Sequence, residues 1–462
     1  MLRLKIYLFV YTFLTSAYVL AQNNAATPNV SLQDSGGDVK KYIKICRQFI
    51  HKELKGMYRK EGGAFKYPFL APGSSQYQDQ LWDWDSWLSN IALRQNLLES
   101  GSEKDKEEAI KYEQGSVLNF LNYGGFDGWI PIMINRGFKP RSEQMPKNSF
   151  GDNMHKPVLA QHAAFLTKLN NGDASWIGEK FYEMQTFVNN YLNHHRHKET
   201  GLVYWQTDHG IGVDNDPSTY FRPPASSGSI YLNCLMYKEL LAMSYLAQRL
   251  NLGEISILYK RDAEVLKEKI REHCWDEKDG FYYSVDLNLL PYKKPELYWE
   301  LHSGGPRSYD CLIQRIGVWS GFMAMWADVA TPEHAKRIVE ENLRNEKTFN
   351  APAGIRTLSK LEKMYNVKAS GNPSSWLGPV WGVSNYMVWK GLVKYGFVDD
   401  AKKLAEKSII LFGKDFERSG ALHEYYLPEN GAPVLNKGFQ NWNFLVLNMA
   451  AWLEGKPFVE EF

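Results

Sequence analysis

The sequence has little of what metal, redox or nucleic-acid chemistry requires. Its four cysteines, Cys46, Cys234, Cys274 and Cys311, are scattered over 462 residues without metal-ligand spacing. Cys46 and Cys234 fall on apolar helical faces, which predicts buried free thiols and not a disulfide framework. Net charge is almost absent. Once Arg3 and Lys5 are set aside with the first 21 residues, 52 basic residues face 52 acidic ones. That balance gives nucleic acid or an anionic membrane surface nothing to bind, and fits a neutral partner. No Walker loop, nicotinamide fingerprint or G-x-S-x-G elbow is present. "HSGGPRS" at 302–308 is Gly-rich but does not open a helix after a strand, so Arg307 and Arg315 read as solvated side chains. "NHHRH" offers His194, His195 and His197, whose offsets do not share a helix face as an i, i+4 metal pair would. Beyond the N-terminus, no segment approaches the apolar length needed to cross a bilayer.

The N-terminus itself reads as an export signal. Arg3 and Lys5 precede the apolar run Ile6 to Leu14, and small and apolar residues follow up to Ala21. The short apolar core favours cleavage near Ala21 over an uncleaved anchor. The residue directly after that point is Gln22, not a cysteine that could carry a lipid. The expected mature chain is secreted or periplasmic, without a membrane association. Residues 22–37 are polar and read as a flexible leader, and 38–462 as one domain without an internal linker.

From residue 38 the apolar residues recur with helical period. Tyr42, Ile43, Cys46, Phe49 and Ile50 mark the first face. Further helices are expected near 84–100, 104–122, 156–170, 174–195, 228–250, 253–273, 314–328, 332–346, 375–395, 397–412 and 438–453. No sheet pattern is convincing, although Gly280–Tyr283 fits a short decorating strand. The fold class is therefore all-α. The loops after the third, fifth, seventh, ninth and eleventh helices are long and rich in Gly, Pro, Trp and acids. Those after the fourth, sixth, eighth and tenth are short. This alternation suits six helical hairpins closed into a toroid, an (α/α)6 barrel, with the long loops on one face.

Aromatics are plentiful: 15 Trp, 27 Tyr and 23 Phe. Flat side chains cover the apolar faces of sugars, and they fill cores equally well. Two long loops also carry acids. "VYWQTDHGIGVDNDPSTY" holds Asp208, Asp214 and Asp216, and "SGALHEYYLPENGAP" holds Glu424. On one face of a ring, Asp214 and Glu424 would meet across a pocket. A protonated and an ionised carboxyl flanking a cleft suit glycosidic bond cleavage. Acids in Gly/Pro loops also form turns and caps, and Asp208 is expected to serve the turn.

Five motifs in order, "QLWDWDSWLSNIAL", "GVDNDP", "GIRTLS", "GNPSSWLGPVWGVSNYMVWKGL" and "HEYYLPENG", resemble glycoside hydrolase family 63 and its trehalase-like relatives. These include bacterial α-glucosidases and glucosylglycerate and mannosylglycerate hydrolases. The resemblance runs from about residue 77 to 450. It implies an (α/α)6 barrel, inversion at the anomeric carbon and no required cofactor, and it is compatible with a structural calcium ion in a loop. By position it makes Asp214 the general acid and Glu424 the general base. It places Asp85 on sugar hydroxyls, with Trp82, Trp84, Trp376 and Trp381 walling the sugar pocket. For Asp85, capping of a helix N-terminus remains open beside this role. His155 stands where relatives carry an amide, and either replaces that sugar contact or belongs to the helix start. Leu377 stands where the family usually has Arg, and Asp216 where it commonly has Ser.

The expected function is thus an exported inverting exo-glycosidase acting on an α-glucoside or related α-linked small oligosaccharide or glycosyl conjugate. Two alternatives stay open: an inverting phosphorylase on the same fold, in which phosphate replaces the base-activated water, and a catalytically silent glycan-binding protein.

Overall fold

Helix N-caps and glycine stops set the boundaries of a helix-rich chain. The computed structural model describes residues 36–139, 153–289, 309–368 and 373–462. The signal, nearly all of the expected leader, and the "HSGGPRS" stretch lie outside the described residues. Ten helices of eight residues or more are present among the described residues: α1 Gly36–Lys52, α2 Asp83–Ser100, α3 Glu103–Asn122, α4 Leu159–Leu169, α5 Phe181–His194, α6 Ile230–Arg249, α7 Gly253–Cys274, α8 Gly382–Lys394, α9 Val398–Ser419 and α10 Val446–Leu453. The first begins two residues inside the expected leader.

Local chemistry explains several ends. Ser102 and Asp105 form a capping box at the start of α3, each side chain accepting the other's backbone N–H. Ser229 caps α6 through the Leu232 N–H. α9 runs to Gly420, whose φ of 74° closes the helix in the left-handed region. Glu239, buried in α6, accepts the Ala160 and Gln161 N–H groups at 2.7 and 3.0 Å, so a carboxyl from a neighbouring helix satisfies the free donors at the start of α4.

Ten of the twelve expected helical segments contain a helix of eight residues or more, with 174–195 split into Ser175–Gly178 and Phe181–His194 and 438–453 opening on a 3-10 turn, Asn441–Leu445; 314–328, 332–346 and 375–395 depart further. The 314–328 segment contains only a 3-10 turn, Trp319–Phe322, and one α turn, Met323–Trp326. The 332–346 segment passes from Pro332–Arg337 into a π-helix, Ile338–Leu343. The 375–395 helix starts only at Gly382, because Gly378-Pro379 interrupts it and Val380–Trp381 is extended. The missing sheets exist as strands of two or three residues. The Gly280–Tyr283 expectation is met by Phe281–Tyr282, which pairs with Trp275–Asp276.

Short connections make sequential helices neighbours. Three residues, 250–252, join α6 to α7, and the two pack along each other. α4 packs on α6, and α8 on α9. α1 packs against α9 and α10, so the first helix meets the last two. The aromatics that the composition left ambiguous are mostly core: Trp87, Trp205, Trp319 and Trp389 are fully buried. All four cysteines are free, three of them buried and Cys311 half-buried. Among the described residues, no helix is long and apolar enough to cross a membrane.

Candidate active site

A cavity of about 950 Å³ opens where the long loops meet. The segment before α2 and the start of α2 contribute Tyr77, Trp82, Trp84 and Asp85; the loop after α3 contributes Trp129 and Phe138. The loop before α6 brings Asp208, Gly212 and Asp214. The segment before α8 brings Trp376 and Trp381, and the one after α9 brings Glu424, Phe439 and Trp442. Acids more than two hundred residues apart in sequence therefore share one cavity.

Two small strand pairs fix this wall. β1, Gln80–Trp82, pairs with β2, Met133–Asn135, in the register Trp82↔Met133. β3, Val380–Trp381, pairs with β4, Tyr425–Tyr426, in the register Trp381↔Tyr425. That second register sets Glu424 at the end of β4, beside the tryptophans. Trp376 and Trp381 stack at 4.1 Å with an interplanar angle of 11°, and Trp381 stacks on Tyr425 at 4.9 Å. Trp84 lies 5.3 Å from Trp442 and 6.2 Å from Trp376. The result is an aromatic floor edged by carboxyls.

Each carboxyl sits in a different environment. Glu424 is buried, and its carboxylate accepts the Tyr77 hydroxyl at 3.3 Å and the Asn436 amide. Burial pushes it up to about 7; the Asn436 and Tyr77 donors oppose the shift, and the Asp214 charge adds to it. Asp85 accepts Asn441 Nδ2 at 2.6 Å, and Asn441 is in turn held by Ser89. Burial, then the charge of Asp83, pushes Asp85 up to about 8. Asp214 is half-buried and lines the same cavity.

The helix-cap alternative for Asp85 falls to its neighbour. Asp83, fully buried at the start of α2, accepts the Trp84 N–H and holds Lys156 Nζ at 2.8 and 2.9 Å, so Asp85 is left to face the cavity. The Lys156 ammonium lies 5.5 Å over the Trp84 ring. Gly212, with φ of 83°, lies against this assembly. A Cβ there would meet Lys156 Cε at 2.6 Å and the Trp84 ring at 3.1 Å, which explains the glycine two residues before Asp214.

His155 is corrected. It does not line the cavity but is fully buried, edge-on to Phe120 and Phe187, with Nδ1 on the Lys156 carbonyl. Burial lowers it to about 4, so it is a neutral core side chain. The next residue, Lys156, is the one at the cavity. Asp208 is corrected in the other direction, since it lines the cavity instead of only serving its turn. Asp216 is fully buried and heads a turn, accepting the Ser218 N–H at 2.8 Å. Leu377 packs in a small apolar cluster with Val318 and Leu358, and Arg315 pairs with Asp276. His195 is buried against Tyr191 and Tyr204. Among the described residues, no group of three or more His, Cys, Asp or Glu is arranged to hold a metal ion.

Sequence reasoning missed Tyr77, Lys156, Asn436 and Trp442. Tyr77 and Lys156 stand close to recognised motifs, but nothing in their spacing reveals a partner. Asn436 contacts Glu424 only because the chain turns back at Asn436 itself, with φ of 45°.

Comparison with known proteins identifies the family of the chain. The family model described as the mannosylglycerate hydrolase MGH1-like glycoside hydrolase domain matches residues 78–443. The chain is 22% identical over 460 residues to mannosylglycerate hydrolase MGH1 of Selaginella moellendorffii, covering 89% of this chain and 85% of that one. It is 27% identical over 237 residues to a cytosolic neutral trehalase of Kluyveromyces lactis, covering 48% of this chain and 28% of the trehalase. The chain thus spans under a third of the length of that longer relative. The solved GH63 mannosylglycerate hydrolase from Thermus thermophilus, in complex with glucose, superposes with a TM-score of 0.61 at 20% identity, covering 88% of this chain and 98% of that one. It shares the fold. With the family match spanning the cavity walls from Trp82 to Trp442, the chain belongs to the mannosylglycerate hydrolase MGH1-like glycoside hydrolase family.

Proposed function

We propose that the protein hydrolyses an α-linked glucoside or mannoside of small size, a disaccharide or glycosyl conjugate, with inversion at the anomeric carbon. The observation that carries this is the cavity, which Asp214 and Glu424 line from two different loops together with Asp85, Trp84, Trp376 and Trp381. Asp214 protonates the leaving oxygen as the glycosidic C–O bond breaks. Glu424 takes a proton from the water that attacks the anomeric carbon from the other face. The Tyr77 and Asn436 donors suit Glu424 to the ionised role. Asp85 accepts hydroxyl hydrogens of the nonreducing sugar, which rests on Trp376, Trp381 and Trp84. Inversion requires the two carboxyls to stand roughly 6.5–9.5 Å apart, leaving room for water.

The same reading closes the helical pairs into an (α/α)6 toroid, supported by the packing of α1 on α9 and α10 and by the convergence of the long loops at one cavity. It takes residues 1–21 as an export signal, supported by the charged, apolar and small-residue order of the sequence. Relatives named for mannosylglycerate and for trehalose make α-mannosyl-glycerate, α-glucosyl-glycerate and trehalose the first substrates to screen. The anomer released is read by NMR in the first minutes. The inverted anomer is expected, and initial release of the retained anomer overturns the mechanism. Asp214→Asn and Glu424→Gln are each expected to lose at least ~100-fold in kcat with unchanged melting. Full activity in either variant removes that residue from its role.

A further inference from the structure

The loop carrying Asp214 is folded back on itself. Three residues in six have φ in the left-handed region: Gly210 at 72°, Gly212 at 83° and Asn215 at 54°. Asn153 pins the loop's first half, its Nδ2 donating to the carbonyls of Thr207 and His209, both at 2.7 Å, on either side of Asp208. Asn215 pins the second half, its Oδ1 accepting the Trp376 N–H at 3.1 Å. The reversal returns Asp208 to Asn215, the residue after Asp214, so that the Asn215 backbone N–H approaches the Asp208 carboxyl. Both acids line the same cavity. Among the described residues, Oδ1 of Asp208, which is shut off from solvent, has no hydrogen-bond partner.

A carboxylate oxygen without a donor, beside other carboxyls, is a poor place for charge and a good one for a proton. Burial, then Asp216, then Asp214 push Asp208 up to about 7, against the Asn215 N–H. The groups around it have other commitments. Asp216 is fully buried and already accepts the Ser218 N–H. Lys156, behind Gly212, is held by Asp83. Asp85 is held by Asn441, Glu424 is held by Tyr77 and Asn436, and His209 is exposed.

We infer that Asp208 is a positioning residue for the acid step, sharing one proton with Asp214 across the folded loop and returning it after each turnover. This rests on Asp214 being the proton donor. In the cycle, Asp214 gives its proton to the leaving oxygen, which keeps the bonding pair, and Glu424 receives one from water. To reset, Asp208 takes a proton from water at the cavity mouth and passes it to the Asp214 carboxylate, and Glu424 releases its own. No net proton is gained or lost.

The test measures kcat and kcat/KM from pH 4 to 9 for wild type, Asp208→Asn, Asp208→Glu and Asp214→Asn. Each is assayed on the fastest substrate of the screen above and on the matching 4-nitrophenyl α-glycoside, whose leaving group needs little protonation. Asp208→Asn is expected to move the alkaline limb down by about one pH unit or more. It should lose roughly 10-fold or more in kcat at pH 7.5 on the unactivated substrate. On the nitrophenyl substrate it should lose no more than about 3-fold, with KM and melting unchanged, and Asp208→Glu should restore the limb. A pH profile superimposable on wild type, or equal loss on both substrates, overturns the inference while Asp214→Asn remains inactive. Full activity of Asp214→Asn overturns the acid assignment, and the inference with it.

Discussion

Replacing Lys156 by Met tests whether the cavity stands on a buried ion pair. Lys156 Nζ lies 2.8 and 2.9 Å from the two Asp83 oxygens, and the side chains are 1% and 0% exposed. Methionine keeps the apolar stem and removes the charge, leaving Asp83 with only the Trp84 and Lys156 N–H donors. Breaking a buried pair from one side costs about 3–5 kcal/mol, because the remaining charge is uncompensated. At about 2.1 cal/mol/K of unfolding entropy per residue, a chain of 462 residues moves its melting midpoint by roughly 1 °C per kcal/mol, so a drop of about 3–5 °C is expected at pH 7. The deficit has a pH signature. A buried carboxyl without its cation takes up a proton on folding, so the cost is present above the unfolded carboxyl's value, roughly 4, and shrinks as pH falls towards it. Scanning calorimetry of wild type, Lys156→Met, Asp83→Asn and the double variant, at pH 4.5 and 7, supplies the numbers. The double variant should recover most of the loss, a coupling of at least ~2 kcal/mol. A deficit below about 1 kcal/mol at pH 7, or one that does not change with pH, refutes the reasoning and makes Lys156 a packing residue alone.

Tyr77→Phe removes one of the two side-chain donors that hold the Glu424 carboxylate. The proton on Glu424 then becomes harder to remove, so the acid limb of kcat/KM should move upward by about half to one pH unit; a pH–rate profile with an unmoved limb separates Glu424 from the base role. Ser102→Ala breaks the capping box at the start of α3, far from the cavity. It should cost about 1 kcal/mol in urea denaturation and leave kcat unchanged, giving a control for purely structural loss.

Part of the site was legible because it is local. "LWDWDSW" shows Trp84 and Asp85 one residue apart at a helix start, and the structure puts both at the cavity. The acids Asp214 and Glu424 were found through the character of their loops. Legibility ended where partners come from distant segments. Nothing near "HKP" indicates that Lys156, and not His155, reaches the cavity, because that is decided by Asp83 some seventy residues earlier. Asp208 looked like turn chemistry because glycines surround it. The glycines instead reverse the loop and bring the acid back to Asp214's neighbour. The helix pattern failed at 375–381 for a related reason: Trp376 precedes the Gly378-Pro379 break, and Trp381 belongs to an extended segment paired with the Glu424 loop.

The distribution of donors also gives a direction to the proposed chemistry. Asp85, Asp208, Asp214 and Glu424 line one cavity, and burial pushes Asp85 to about 8 and Asp208 and Glu424 to about 7. Four ionised carboxyls in a partly desolvated space repel strongly, so the site holds protons near neutrality. Where those protons reside depends on what each oxygen faces. Glu424 faces Tyr77 Oη–H and Asn436 Nδ2–H, both aimed at a negative charge. Asp208 keeps one oxygen that faces no donor. Charge is therefore favoured on the loop after α9, and the proton on the loop before α6. An acid at Asp214 and a base at Glu424 follow this polarity. The reverse assignment would require Glu424 to hold a proton where the Asn436 N–H already occupies the acceptor side.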